Sequence, residues 1–192
     1  ALELLKGCRE PRICEIGTGS GAIAISLAHY MPRAVIMAGD ISSAALAVAR
    51  ENANRLNVNV EFRVGNLLEP FQAEMPFDMI LANLPYIPEE EFHALPEGVK
   101  NFEPSSALLA PGDGLDFYRR LVLQAMPLLK EQGYIIFEIG EKQGAAARNV
   151  VGGFDEVQLI CDLAGRDRLI KARKGKENGD RLSVDRSYKS QA

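Results

Sequence analysis

Short apolar runs alternate along the chain with longer segments whose apolar positions recur at helical spacing. RICEI (12–16) reads as a buried strand, SGAIAISLAHYM (20–31) as a helix stopped at Pro32, and RAVIMAG (33–39) as a second strand. SSAALAVARENANRLN (42–57) predicts a second helix with Ser42 as its N-cap. VEFRV (60–64) and FDMILA (77–82) predict a third and a fourth strand. Further on, GLDFYRRLVLQAMPLLKEQG (114–133) predicts a helix, YIIFEIG (134–140) a strand and EKQGAAARNVVGG (141–153) a helix. DEVQLICD (155–162) and DRLIKARK (167–174) predict a closing pair of strands.

Repeated strand–helix–strand units imply an α/β fold, a doubly wound sheet that is mostly parallel. No helix separates the last two strands, and the short DLAGR (162–166) suits an antiparallel hairpin, so the C-terminal edge strand is expected to be antiparallel. Residues 83–114 form a long Pro/Gly-rich stretch that also carries Tyr86, Ile87, Phe92 and Leu95, which predicts an ordered, partly helical lid. Residues 1–174 are expected to make one domain, and the polar 175–192 a disordered tail.

Composition narrows the class. The 192 residues are 47% apolar and 25% charged, as in a soluble globular domain. A net charge of −4 argues against a large nucleic-acid footprint, which needs a basic face. No run is long enough to span a membrane and no signal peptide is visible, so a cytoplasmic protein is expected. Cys8, Cys14 and Cys161 form no C-x-x-C pair and read as buried thiols of a cytosolic protein. With His29 and His93 far apart, no metal site is expected. The chain opens at ALELLKG without Met, as a mature product or a fragment would.

EIGTGSGAIA (15–24) leaves a strand and opens a helix. Gly17, Gly19 and Gly21, with Thr18 and Ser20 between them, let the backbone turn sharply and approach a ligand closely. Asp40 ends the second strand, where a carboxylate can accept hydrogen bonds from ribose hydroxyls. As G-x-G-x-x-A, residues 17–22 also satisfy the dinucleotide fingerprint. As E-x-G-x-G-x-G, residues 15–21 suit a loop around S-adenosylmethionine, with Glu15 near the cofactor's ammonium group directly or through water. Asn66, in VGNLLEP after the third strand, is placed for an adenine amine and reads equally well as a turn residue.

NLPY (83–86) comes directly after the fourth strand, which neighbours the first in such a sheet. The Asn83 side-chain oxygen and the Leu84 carbonyl can accept the two N–H groups of one planar NH₂. Pro85 stiffens the turn and Tyr86 offers an aromatic wall. Two acceptors can orient an amide or aromatic amine nitrogen and stabilise the charge that grows on it during attack. An Asx turn at a strand end would look similar.

These motifs make the chain resemble the class I methyltransferases that modify an amide or exocyclic amine nitrogen, with a Rossmann-like doubly wound sheet and the motif [N/D/S]-P-P-[Y/F/W]. More narrowly it resembles the HemK/PrmC-type release factor glutamine methyltransferases, over about residues 1–174. EIGTGSGAIAISLA, GDISSAALAVARENA, NLPYIP, FEPSSALLAPGDGLDFYRRL, GYIIFEIGEKQG and DLAGRDRLIKAR carry the likeness. It implies that Gly17 to Gly21 and Asp40 bind S-adenosylmethionine, with Asn66–Leu67 near the adenine. It implies that Asn83 and the residue-84 carbonyl hold the target amide in a pocket shaped by Pro85 and Tyr86. The implied substrate is the Gly-Gly-Gln glutamine of a peptide chain release factor. Glu103 and Pro104 would touch its backbone, while Glu138 and Gln143 would support structure.

Two features depart from that pattern. Leu84 stands where the first proline is usual, a spelling shared with ribosomal-RNA adenine dimethyltransferases. The family's N-terminal helical domain has no room before residue 12. Three other readings stay open: N-methylation of an adenine-type amine in RNA or DNA, NAD(P)-dependent oxidoreduction, and a non-catalytic cofactor-binding scaffold.

Overall fold

The computed structural model describes residues 1–92 and 104–176. Glu103, His93, Leu95 and residues 177–192 of the expected tail lie outside the described residues.

Seven strands make the main sheet: β1 (Arg12–Ile16), β2 (Val35–Asp40), β3 (Glu61–Val64), β4 (Phe77–Ala82), β7 (Leu129–Glu138), β8 (Glu156–Cys161) and β9 (Asp167–Arg173). Their spatial order is β3-β2-β1-β4-β7-β9-β8. β1, β2, β3, β4 and β7 run parallel, and β9 runs antiparallel to both β7 and β8. The winding therefore reverses between β1 and β4, and open α/β sheets bind ligands outside the strand C-termini at such a point.

The closing strands pair as expected, but their order is a refinement. β8 is the edge, and β9 fills the place between it and β7. Burial agrees: Ile170 and Ala172 of β9 are fully buried, whereas β8 has no buried residue.

The four long helices are α1 (Ala22–Tyr30), α2 (Ser43–Arg55), α5 (Asp116–Leu128) and α6 (Gly144–Val150). Ser42 caps α2, its Oγ accepting from the Ala45 N–H at 3.2 Å. Strand alternation divides the core in two. Ile80 and Ala82 join one apolar cluster with Phe77, Tyr118 and Phe137, while Met79 and Leu81 join the other with Ile13, Leu27 and Ile36.

Two expectations need correction. The helix expected over 114–133 ends at Leu128, because Leu129 turns extended to pair with Phe77. Pro127 in the last turn has no N–H to give a helical bond. Of the cysteines only Cys14 is buried; Cys8 and Cys161 are exposed, Cys161 because it ends the edge strand.

Between β4 and α5 the described residues hold a two-strand parallel pair, β5 (Ile87–Pro88) with β6 (Leu109–Ala110), and two single-turn helices, α3 (Glu89–Phe92) and α4 (Ser105–Leu108). Pro104 is exposed at the start of α4. Among the described residues no helix is long and apolar enough to cross a membrane.

Candidate active site

The glycine loop rises from the C-terminal end of β1 with Gly17, Gly19 and Gly21 at φ 74°, 55° and 83°, the left-handed region that favours glycine. The N–H groups of Gly17 and Thr18 both donate to the Gly39 carbonyl, at 2.9 and 3.1 Å, tying the loop to β2. Asp40, at the end of β2, accepts from the Gly19 N–H and the Ser42 N–H, each at 2.9 Å. The carboxylate so holds the loop and the start of α2 in one register. A Cβ on Gly19 would meet nothing within 4 Å, so the loop has an open face beside Asp40.

Glu15 is buried within the sheet at 1% exposure. Its Oε2 accepts from the Thr18 hydroxyl at 2.6 Å and from the Ala24 N–H at 2.9 Å, satisfying an orphan donor in the first turn of α1. Burial, with a smaller contribution from Asp40, raises its pKa to about 7 against the opposing effect of those two bonds. Glu15 is thus the internal brace of the loop.

The second constellation presses against the first. A Cβ on Gly17 would stand 2.8 Å from the Asn83 carbonyl oxygen and 2.9 Å from Leu84 Cδ2. The side chain of Asn83 is exposed, and among the described residues no hydrogen bond holds its amide. Leu84 is buried, and its N–H donates to the Tyr118 hydroxyl at 3.0 Å while that hydroxyl donates to the Leu84 carbonyl at 3.1 Å.

Tyr86 is held at both ends. Its hydroxyl donates to Glu138 at 3.2 Å, and Glu138 pairs with Arg168, which also reaches Asp162. Its carbonyl accepts from Gln143 Nε2 at 2.9 Å; the same nitrogen donates to the Asp113 carbonyl, and Gln143 Oε1 accepts from the Gly140 N–H. Burial and Glu138 push the Tyr86 phenol up, so it stays protonated at neutral pH. A Cβ on Gly114 would run into the Tyr86 carbonyl and Gln143 Nε2, so glycine is needed for that approach.

The structure therefore gathers Glu15, Gly17, Thr18, Gly19, Ser20, Gly21, Asp40, Asn83 and Leu84 at the ends of β1, β2 and β4, with Pro85 next in the chain and Tyr86 bonded to Glu138 at the end of neighbouring β7. Asn66 is linked to this group through the chain, since the Gly65 N–H donates to the Asp40 carbonyl. The side-chain amide of Asn66 is engaged locally, donating to Glu69 at 2.9 Å, and Leu67 is buried at φ 51°. Glu138 and Gln143 act as supports, as expected. Tyr118 gives no signal of its own in the sequence because its partner is distant along the chain; only its place in the DGLDFYRRL segment marks it.

Beside Tyr86 lies a cleft lined by Ile87, Pro88, Glu91, Asp113, Glu141 and Lys142. Of its three carboxylates, Asp113 pairs with Arg119 and Glu141 with Arg166.

A doubly wound sheet with a glycine loop at its switch point and an exposed asparagine across from it defines a class. Residues 9–164 match the methyltransferase domain family, and the chain belongs to that family. The release factor glutamine methyltransferase of Moorella thermoacetica is 44% identical over 181 residues, covering 92% of this chain and 63% of that one. The release factor glutamine methyltransferase of Bacillus subtilis is 44% identical over 164 residues, covering 83% of this chain and 57% of that one. The chain thus spans about three fifths of the length of these curated relatives. Among solved structures, a methyltransferase from Pyrococcus furiosus superposes with a TM-score of 0.66 at 20% identity, over 91% of this chain and 81% of that one. That likeness speaks for the fold.

Proposed function

We propose that this chain transfers a methyl group from S-adenosylmethionine to the side-chain amide nitrogen of a protein glutamine, the Gly-Gly-Gln glutamine of a peptide chain release factor. The observation that carries this reading is the contact between the two constellations. The Asn83 backbone carbonyl and the Leu84 side chain stand directly against Gly17 of the glycine loop, and the side-chain amide of the same Asn83 has no partner among the described residues. A group seated on the loop and an amide held at residue 83 would be neighbours. The names of the relatives support the substrate class.

In this reading the open face at Gly19, the loop backbone from Gly17 to Gly21 and the Asp40 carboxylate hold the cofactor, with Asn66 and Leu67 at its adenine end. Bound S-adenosylmethionine supplies a methyl group already activated on a sulfonium sulfur. Asn83 Oδ1 and the Leu84 carbonyl accept the two N–H bonds of the substrate amide and turn its nitrogen toward the methyl. With the cofactor bound, the nitrogen so held would take the methyl as the carbon–sulfur bond gives way to a neutral thioether, and would shed one proton to water. Tyr86, protonated at neutral pH, walls the pocket and does not act as the base. Preorganised acceptors of this kind lower the barrier by orientation and by stabilising developing charge.

The net charge of −4 favours a protein segment over RNA or DNA, whose phosphates it would repel. Membership of the methyltransferase family leaves the NAD(P) reading without support. A release-factor substrate sets the reaction in the cytoplasm.

The test is incubation with S-adenosylmethionine and an unmethylated release factor, then mass spectrometry of the product. A single methyl on the Gly-Gly-Gln peptide is expected, and it should vanish in Asn83→Ala while cofactor binding persists. Equal transfer by Asn83→Ala would sink the role given to that residue; methyl on RNA instead would move the substrate to the adenine class.

A further inference from the structure

Leu84 departs from the proline usual at its position, and the structure contains an answer to that departure. Proline would restrict φ at residue 84 and remove its N–H. Leucine does neither, yet the N–H it introduces is buried and must find a partner. The partner is the hydroxyl of Tyr118, which also donates to the carbonyl of the same residue. One hydroxyl thus bonds both peptide planes that flank the Leu84 Cα, and the rotation of one plane against the other is what φ and ψ describe.

Tyr118 is suited to this. It is fully buried on α5, its ring stacks on Phe137 with centroids 4.5 Å apart, and Phe137 belongs to β7 next to β4. A carbonyl oxygen has two lone pairs. Tyr118 takes one from the core side, which leaves the other for a substrate.

We propose that the buried Tyr118 hydroxyl is a positioning group for methyl transfer, restraining the Leu84 carbonyl where the N-P-P-Y form of the motif has the fixed φ of a proline ring. The inference rests on the reading of that carbonyl as an acceptor for the substrate amide. Tyr118 touches no substrate; it acts through the backbone of residue 84.

The experiment has two readouts on the whole chain. Tyr118→Phe keeps the stacked ring and removes only the hydroxyl. Amide exchange monitored by NMR should show Leu84 protected in the parent protein and unprotected in Tyr118→Phe, with the β4 amides still protected. Steady-state transfer to the release factor should lose roughly tenfold to a hundredfold in kcat, the scale of a small misplacement of a reacting group, with KM for S-adenosylmethionine unchanged. In a Leu84→Pro background, which has no N–H to strand, the same Tyr118→Phe change should cost only a few-fold, roughly, in a double-mutant cycle. Unchanged Leu84 exchange, or an equal kcat cost in both backgrounds, overturns the proposal. If the parent protein leaves the release factor unmethylated, the substrate reading fails, and the exchange result alone then upholds or overturns the clamp.

Discussion

Glu15→Gln isolates the one buried carboxyl of the glycine loop. Glu15 sits at 1% exposure with its pKa raised from an ordinary 4.5 to about 7, burial being the largest cause. Proton counts set the sign. Between those two pH values the folded protein holds a proton on Glu15 that the unfolded chain has released, so stability falls as pH rises. Below pH 4.5 both states are protonated and above 7 both are ionised, and the dependence flattens. At 1.36 kcal/mol per pH unit the loss across the window is about 3 kcal/mol. Glutamine keeps the shape and an oxygen that can accept from Thr18 and Ala24, but it cannot titrate. Urea unfolding of both proteins, stepped from pH 4.5 to 7.5, reads the effect directly. The parent protein should lose about 3 kcal/mol relative to Glu15→Gln across the window. Parallel stability curves would show that Glu15 is ionised throughout, and the account of it as a buried brace would be wrong.

Two further substitutions probe the contacts around NLPY. Gly17→Ala and Gly19→Ala both place a side chain at positive φ, costing about 1–2 kcal/mol, but only at Gly17 does the Cβ meet atoms, the Asn83 carbonyl and Leu84. Gly17→Ala should therefore be the less stable by a further 1–3 kcal/mol or so in denaturant titration; equal losses would mean that the two constellations are not in contact. Gln143→Ala strands the carbonyls of Tyr86 and Asp113 and the N–H of Gly140. It should cost about 1–3 kcal/mol of stability and raise KM for the protein substrate more than KM for the cofactor; equal rises would point to general loosening instead.

Much of the fold was legible because its signals are local. Apolar runs bounded by glycine and proline marked β1 to β4 within a residue or two, Ser42 announced α2, and the short DLAGR link forecast the closing hairpin. What failed was decided by contacts far along the chain. After Leu128 the helix formers Lys130, Glu131 and Gln132 before Gly133 suit a last helical turn, but pairing of Leu129 with Phe77 draws them into the sheet. The exposure of Cys161 comes from β8 being the edge, which no pattern within β8 declares. The site shows the same division. The placement of the glycines, Asp40 and Asn83 at neighbouring strand ends was readable from type and spacing, whereas the internal bonds of Glu15 and the engagement of Asn66 by Glu69 depend on where their side chains point.

At Leu84 a tertiary restraint stands in for a local one. A proline ring would hold its residue in any surroundings, folded or not. Here the same carbonyl is held by a hydroxyl carried on α5, itself seated on β7 through Phe137, while the Leu84 side chain lies against the loop at Gly17. Its orientation then depends on the packing of α5 against the sheet, so a change remote from the site that shifts Tyr118 reaches the Leu84 carbonyl through one hydrogen-bonded oxygen. In relatives with proline at this position the same shift would leave φ fixed. The substitution need not weaken the site while α5 is in place, because the extra N–H of leucine is matched by the hydroxyl that receives it. It moves the rigidity of that carbonyl from covalent geometry to the core, where it is gained only when the chain has folded.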